Sequence, residues 1–414
     1  MENHLQALTA MEPAACSIVG AGPAGAMLAL LLARRGVRVT LLEMHRDFDR
    51  EFRGDTVHPS TLEILDQIGL ADRVHELRNS KISGPTLLTN RGPFTPFDLG
   101  RLKTKYPYIL MVHQKDLLAL LACEAKKYPE FRLLMGAHVT ELIQEEGAVR
   151  GVRYQIDGRI HELRSLLTVG ADGRFSRVRH LAGIEPVRTS PPMDVLWFRL
   201  PHLPQDIDAP GGAFGGFARG HILAGFDRTD YWQAALVIPK GSYPSLRAQG
   251  VELLRRRILE IAPRLANHVE SLTDWRQVSL LSVESSICPH WYARGLLLIG
   301  DAAHAMSPVG GVGINYAVQD AVVTANLLTQ PLRNGCVTIG QLRAVQSKRQ
   351  WAVRITQAFQ TQIQKRVIAS ALKAQEEQGL TIPWFVRAFA RIPLLRDLPP
   401  RLMAFGVARV RVEN

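Results

Sequence analysis

The sequence predicts an α/β protein with three parts: a parallel-sheet domain built from discontinuous segments, an inserted β-sheet domain, and C-terminal helices. Three observations carry that prediction. A strand–helix–strand pattern around a glycine-rich turn opens the ordered part of the chain. A buried strand, a glycine-rich loop and a helix recur near residue 296. Between them lie short alternating segments punctuated by Gly and Pro. At 414 residues, 46% hydrophobic and 21% charged, the chain is long and apolar enough for more than one core.

The elements follow in order. Residues 15–19 read as a short buried strand, 23–35 as a helix closed by Gly36, and 37–42 as a second strand. Helices are expected at 59–69 and 114–127, with strands and loops over 81–108. Alternating segments over 131–169, turning at Gly147 and Gly158, read as an antiparallel or three-stranded excursion. More β-like pieces fill 190–240, and 245–267 reads as one helix. A buried strand at 296–299 precedes a helix at 314–328, and the remainder is helical to Glu377. The expected division gives 14–80, 109–185 and 285–335 to the parallel-sheet domain. It gives 81–108 and 186–284 to the insert, and 336–414 to a C-terminal helical region.

Charge and cysteine usage narrow the function. The formal net charge is +12, yet no nucleic-acid-binding module accompanies it, so nucleic acid is not an expected partner. After Gln341, thirteen Lys and Arg face four acids, which reads as solvated helix faces. A second reading puts the apolar, basic stretch 382–412 against an anionic membrane surface. Pro393, Pro399 and Pro400 keep that stretch from being one amphipathic helix, so the first reading is preferred. The four cysteines lie far apart without metal spacing and read as reduced core thiols, and with no secretory signal the expected address is the cytoplasm.

The chemistry begins at Gly20-Ala21-Gly22-Pro23-Ala24-Gly25. Gly20 makes the tight turn, Gly22 lets backbone approach a pyrophosphate, and Gly25 lets helix pack on strand. Unpaired N–H groups at the helix start then face the anion. Glu43 stands 21 residues after Gly22, where an acid reaches a ribose hydroxyl and repels a 2′-phosphate. This loop therefore takes FAD or NAD and not NADP.

Two further motifs select between them. One is Val169-Gly170-Ala171-Asp172-Gly173-Arg174. The other is Gly300-Asp301-Ala302-Ala303-His304, continuing through Pro308, Gly310, Gly311, Val312, Gly313, Ile314 and Asn315 to Asp320. With the phosphate loop, these resemble the class A flavoprotein monooxygenases, the para-hydroxybenzoate hydroxylase-like family, over about residues 14–330. The resemblance implies a Rossmann-type FAD-binding domain carrying an inserted β-sheet substrate domain. It also implies NADH or NADPH as a transient co-substrate without its own domain, and a role for Asp172 and Gly173 in contacting both cofactors. It places Arg53 near the FAD diphosphate, Gln114 near the flavin side chain, and Asp301 on ribityl or ribose hydroxyls. His304 reads as structural.

The implied reaction is hydroxylation of a small apolar aromatic or polycyclic ring by O2 through a C4a-hydroperoxyflavin, with no metal required. The insert supplies the candidate substrate wall: Trp197, Phe198, Arg199, Phe214, Phe217, Arg219, His221, Tyr231, Trp232 and Gln233. Strand alternation pairs Arg219 with His221 and Tyr231 with Gln233, and either pair could orient or deprotonate a phenol. The alternatives are a flavin epoxidase, or a reductase or dehydrogenase acting on a lipid-like or polyketide substrate. A non-catalytic FAD-binding regulator fits less well, since it has no use for the Asp172-Gly173 motif.

Overall fold

The computed structural model describes residues 14–49, 55–89, 92–95, 98–203, 212–218, 220–369, 372 and 397–413. Its first layer is an eight-stranded sheet. The strands Leu296–Leu298, Arg159–Gly170, Ala14–Val19, Val39–Glu43 and Phe131–Met135 run parallel in that order, with Tyr292–Ala293 antiparallel at the edge. Near-continuous apolar runs suit strands covered on both faces. The helices Pro23–Arg34, Gln114–Ala125 and Gly313–Arg333 supply one cover, packing Leu28, Leu32, Leu121, Val318 and Val322 against Ile18, Leu41 and Val169.

The expected excursion over 131–169 divides in two. Phe131–Met135 joins the parallel sheet beside Val39–Glu43, because the helix Gln114–Ala125 serves as its crossover. Only His138–Glu145, Ala148–Ile156 and the first half of Arg159–Gly170 form the antiparallel meander. The helix expected over 245–267 is also broken, at Gly250 with φ +88°, into Tyr243–Ala248 and Val251–Ile261. The helix beginning at Gly313 runs on to Arg333, with Pro331 in its last turn. Cys16 and Cys288 are buried as expected of core thiols, but Cys123 and Cys336 are exposed.

The second layer is a seven-stranded sheet. Its order is Ser279–Ser282, Met193–Pro201, Tyr231–Pro239, His221–Asp227, Ala213–Ala218, Pro85–Thr89, Gly92–Phe94. One face is a closed core, where Leu196, Phe198, Leu223, Trp232 and Leu236 pack on Leu254 and Ile258 of the helix Val251–Ile261. The other face carries Val195, Trp197, Ala224, Ala235 and Val237 toward Val309 of the Gly310-Gly311 loop and Ile368 of the C-terminal helix. A small sheet, Thr56–Val57, Ile109–Val112 and Asn79–Ile82, lies between the layers in sequence. Among the described residues no helix is long and apolar enough to cross a membrane.

Candidate active site

The three motifs converge because each follows the C-terminal end of a neighbouring parallel strand. Val19 is in register with Gly170, and Gly170 with Leu298. Gly20 takes φ +99°, and a Cβ there would stand 2.5 Å from the Ala171 carbonyl oxygen. At Gly25 a Cβ would fall 1.9 Å from the Gly20 carbonyl oxygen. These two glycines close the loop on itself. Gly22 is different, since a Cβ there would meet nothing within 4 Å. It lies at the start of the helix Pro23–Arg34, which has no side-chain cap. Ala24, behind it, is buried against Gly300, whose own Cβ would stand 3.1 Å from the Ala24 methyl. An open backbone edge on an uncapped, mostly buried helix is the shape and charge that a diphosphate needs.

Glu43 is 2% exposed and braces the loop itself, accepting the Ala21 N–H at 2.9 Å and the His45 N–H at 3.1 Å. Asp172 likewise turns inward. Its carboxylate accepts the Ser176 hydroxyl and, at 3.0 Å, the Val178 N–H, while burial raises its pKa against those bonds. Next to it Gly173 adopts φ +84°. Buried Arg179 ties this motif to the next, donating to the Ala302 carbonyl at 2.9 Å and the Arg174 carbonyl at 2.8 Å.

The last motif rests on a fully buried charge cluster. Asp320 accepts the Gly300 N–H at 3.0 Å, His304 Nε2–H at 2.6 Å and Arg349 Nε–H at 2.7 Å. Burial alone pushes this carboxyl up, but His304 and Arg349 outweigh it and hold the pKa at about 2. Asp301, half-buried, follows in the same turn. Beyond it Pro308 accepts the Gly311 N–H at 3.0 Å, and Gly310 and Gly311 take φ +82° and +63°. Val312 and Ile314 send their side chains into the core, so they offer a cofactor only backbone. Gly313 begins an uncapped helix, and a Cβ there would meet nothing within 4 Å. Asn315 is fully buried, and its Oδ1 accepts the Ser60 and Thr61 hydroxyls. Among the described residues its Nδ2 has no partner. A flat ring with polar edges fits this second open helix start.

His58 sits behind the loop, with Nε2 3.1 Å from the Gly311 carbonyl and Nδ1 2.8 Å from the Met403 carbonyl. Burial lowers its pKa to about 4 against both carbonyls, so near neutrality it donates to one of them only.

The C-terminal helix Ile339–Ile363 supplies holding residues that the sequence reading missed. Besides Arg349, Gln357 donates to the Ala305 carbonyl at 3.1 Å, Gln360 to those of Ser307 and Val309 at 3.0 and 2.8 Å, and Gln364 to the Ser307 hydroxyl. Their spacing along one helix face was the available signal. A π-helical turn at Gln364–Ile368 then brings Ile368 to the insert sheet.

On that sheet, the register puts Trp197, Phe226, Gln233 and Ala235 on the face toward the loop, with Trp197 and Phe226 ring centroids 6.2 Å apart. Among the described residues, the buried Trp197 Nε1 and Gln233 Oε1 have no hydrogen-bond partner. Tyr231 shares this face, with the Arg199 guanidinium 5.0 Å from its ring centre and His113 at 6.2 Å between centroids. His221 does not join it. Paired with Ala218 and in line with Leu223, it lies on the helix-covered side, so of the two expected pairs, Arg219 with His221 and Tyr231 with Gln233, the register puts only the second on the face toward the loop. Phe198, Phe214 and Trp232 belong to that covered side as well. Arg219 and Arg53 lie outside the described residues.

An ion pair joins the two layers. Arg228, 4% exposed, places Nη1 3.2 Å from Asp55, which in turn accepts the Gln114 N–H at 3.0 Å. Burial raises the Asp55 pKa despite Arg228. Gln114 thus has its backbone fixed at a helix start, with its side chain half-buried.

Comparison with known proteins agrees with this arrangement. A family model described as an FAD binding domain matches residues 13–357. The 6-methylpretetramide 4-monooxygenase of Streptomyces rimosus is 33% identical over 404 residues, 96% of this chain and 93% of that protein. The para-nitrophenol 4-monooxygenase of Pseudomonas sp. (strain WBC-3) is 26% identical over 336 residues, 78% of this chain and 79% of its own length. Among solved structures, P. aeruginosa PqsL in complex with 2-aminobenzoylacetate superposes with a TM-score of 0.75 at 22% identity, covering 87% of this chain and 98% of that one.

Proposed function

The chain belongs to the class A flavoprotein monooxygenases, FAD-dependent enzymes that use NAD(P)H and O2, and from that premise we propose that it hydroxylates a flat polycyclic phenol. FAD, when bound, would supply the redox chemistry that couples NAD(P)H to O2. The protein supplies position. Gly22 and the helix behind it would hold the diphosphate, and Glu43, which braces the Ala21 N–H, would lie at the ribose end. Gly311, Gly313 and the N–H groups at the start of the helix Gly313–Arg333 would border the flavin ring, and the positive end of that helix would favour negative charge there.

One observation carries the substrate class. Among the described residues, Trp197 Nε1, a donor, and Gln233 Oε1, an acceptor, stand without partners beside Ala224, Ala235, Val237 and Phe226. Buried polar atoms normally find partners, so this pair fits a ring system bearing both a carbonyl or phenolate oxygen and a hydroxyl. The small alanines leave width for fused rings. The Streptomyces rimosus relative, whose name specifies a 6-methylpretetramide substrate, supports the same class. Tyr231 and Arg199, beside Gln233, are placed to stabilise a phenolate at the edge of that face.

The test is NAD(P)H consumption by the FAD-loaded chain with monocyclic, bicyclic and tetracyclic phenols. Stimulation that grows with ring number, and falls about tenfold in Gln233→Leu with FAD retained, supports the proposal. Equal stimulation by a single-ring phenol would overturn the polycyclic assignment.

A further inference from the structure

Outside the active site, one face of the C-terminal helix stands apart. Trp351, Ile355 and Phe359 are 47%, 48% and 47% exposed. Spaced four residues apart, they form a single stripe along Ile339–Ile363, opposite the face that buries Val345, Arg349, Ala352 and Val353. The other exposed large apolar residues of known position, such as Ile160, Phe175, Val187 and Leu280, lie scattered through the fold. The stripe is bordered by exposed cations: Lys348 and Arg354 on the same helix, Lys365 and Arg366 at its end.

The charge pattern along this stretch of the chain is one-sided. Between Asp320 and Glu376 the sequence contains no Asp or Glu. Beyond Glu377, residues 378–396 are again free of acids and carry Ile382, Trp384, Phe385, Phe389, Arg387, Arg391 and Arg396. An apolar stripe of Trp, Ile and Phe, bordered by Lys and Arg with no acid in its own stretch of chain, has the composition of an interfacial helix face. From this charge complementarity we infer that the Trp351–Ile355–Phe359 face docks on an anionic phospholipid surface. The three apolar side chains enter the headgroup boundary, while Lys348, Arg354, Lys365 and Arg366 meet lipid phosphates. The enzyme then lies on the bilayer without crossing it, in reach of apolar substrates that partition there.

The experiment is sedimentation of the FAD-loaded full chain with vesicles of phosphatidylglycerol and phosphatidylcholine, and with phosphatidylcholine alone. The expected result is pelleting with the anionic vesicles only, weakening as salt rises. Two variants locate the contact: Trp351→Ser with Ile355→Ser and Phe359→Ser, and Lys348→Glu with Arg354→Glu. Each should lower the vesicle-bound fraction about tenfold or more at unchanged FAD content and melting temperature. Failure of the wild type to pellet at low salt overturns the inference. So does equal pelleting by both variants, which would move the contact to residues 378–396. Light scattering tests the other occupant: a wild-type dimer dissociated by the triple serine variant would assign the stripe to a second copy and also overturn it.

Discussion

The cofactor frame and the insert sheet differ in how densely their buried polar groups tie one segment to another. In the frame such ties are dense: Asp320 takes three donors, Glu43 braces two backbone N–H groups, and Gln357, Gln360 and Gln364 fasten three loop residues, although among the described residues Arg349 Nη1 and Nη2, His304 Nδ1 and Asn315 Nδ2 still lack partners. On the open face of the insert, Trp197 Nε1 and Gln233 Oε1 have no partner among the described residues. A dense buried network specifies one geometry, and a polar group left unpaired on an apolar face is a place where a ligand can bind. We read the frame as shaped for a resident group and the sheet for a transient one.

The contrast breaks hardest at the Asp320 cluster. Asp320→Ala leaves the fully buried Arg349 without its counter-ion, so a loss of about 3–5 kcal/mol is expected, with failure to retain FAD. Urea unfolding and flavin absorbance of the purified protein check it. A variant of wild-type stability would mean that the cluster is not holding the fold.

His58 gives the next largest effect, through pH. Its folded pKa, about 4, lies below the ordinary 6.5, so its contribution to stability is complete above pH 6.5 and is lost as pH falls toward 4. Wild type is expected to lose roughly 3 kcal/mol across that window relative to His58→Gln. Parallel stability–pH curves for the two proteins would remove His58 from the account. Asp320, also depressed, keeps its contribution throughout that window and loses it only at lower pH, as pH falls from the normal carboxylate range through about 2.

The glycines sharpen the comparison within one loop. Gly25→Ala drives a methyl into the Gly20 carbonyl and should destabilise even the flavin-free protein. Gly22→Ala meets open space, so the flavin-free protein should keep its melting temperature while FAD affinity falls about tenfold or more. Calorimetry of both, with and without FAD, separates the roles. Equal melting losses would mean that Gly22 is structural too.

The smallest effect belongs to the insert. Trp197→Phe removes an unpartnered donor, so stability should change by no more than about 1 kcal/mol and NAD(P)H-driven reduction of bound FAD should continue. The expected loss is in kcat/KM for the phenolic substrate, by about tenfold. A large stability loss at unchanged kcat/KM would make Trp197 a core residue.

The frame was legible because its chemistry is local in sequence. Gly20 to Gly25, Asp172-Gly173 and Gly300 to Asn315 each announce a strand end, a turn and a helix start within a few residues. What could not be read is what reaches them from far away. Arg349 lies 29 residues from Asp320, and Gln360 53 residues from Ser307, with no local pattern linking them. The sheet faces failed differently. Alternation puts Tyr231 and Gln233 together, but only pairing register shows that His221 faces the other way, beside Leu223. Glu43 and Asp172 stand where the motifs require, yet both carboxylates already brace backbone N–H groups, a second duty that spacing does not reveal.

The most direct test of the central claim is the fate of heavy-isotope O2 during turnover of the FAD-loaded chain with NAD(P)H and a tetracyclic phenol. The account predicts one labelled oxygen atom in the hydroxylated ring, with product formation falling in Gln233→Leu while flavin reduction persists. Label recovered only in hydrogen peroxide or water, across the phenol panel and in wild type and variant alike, would contradict it.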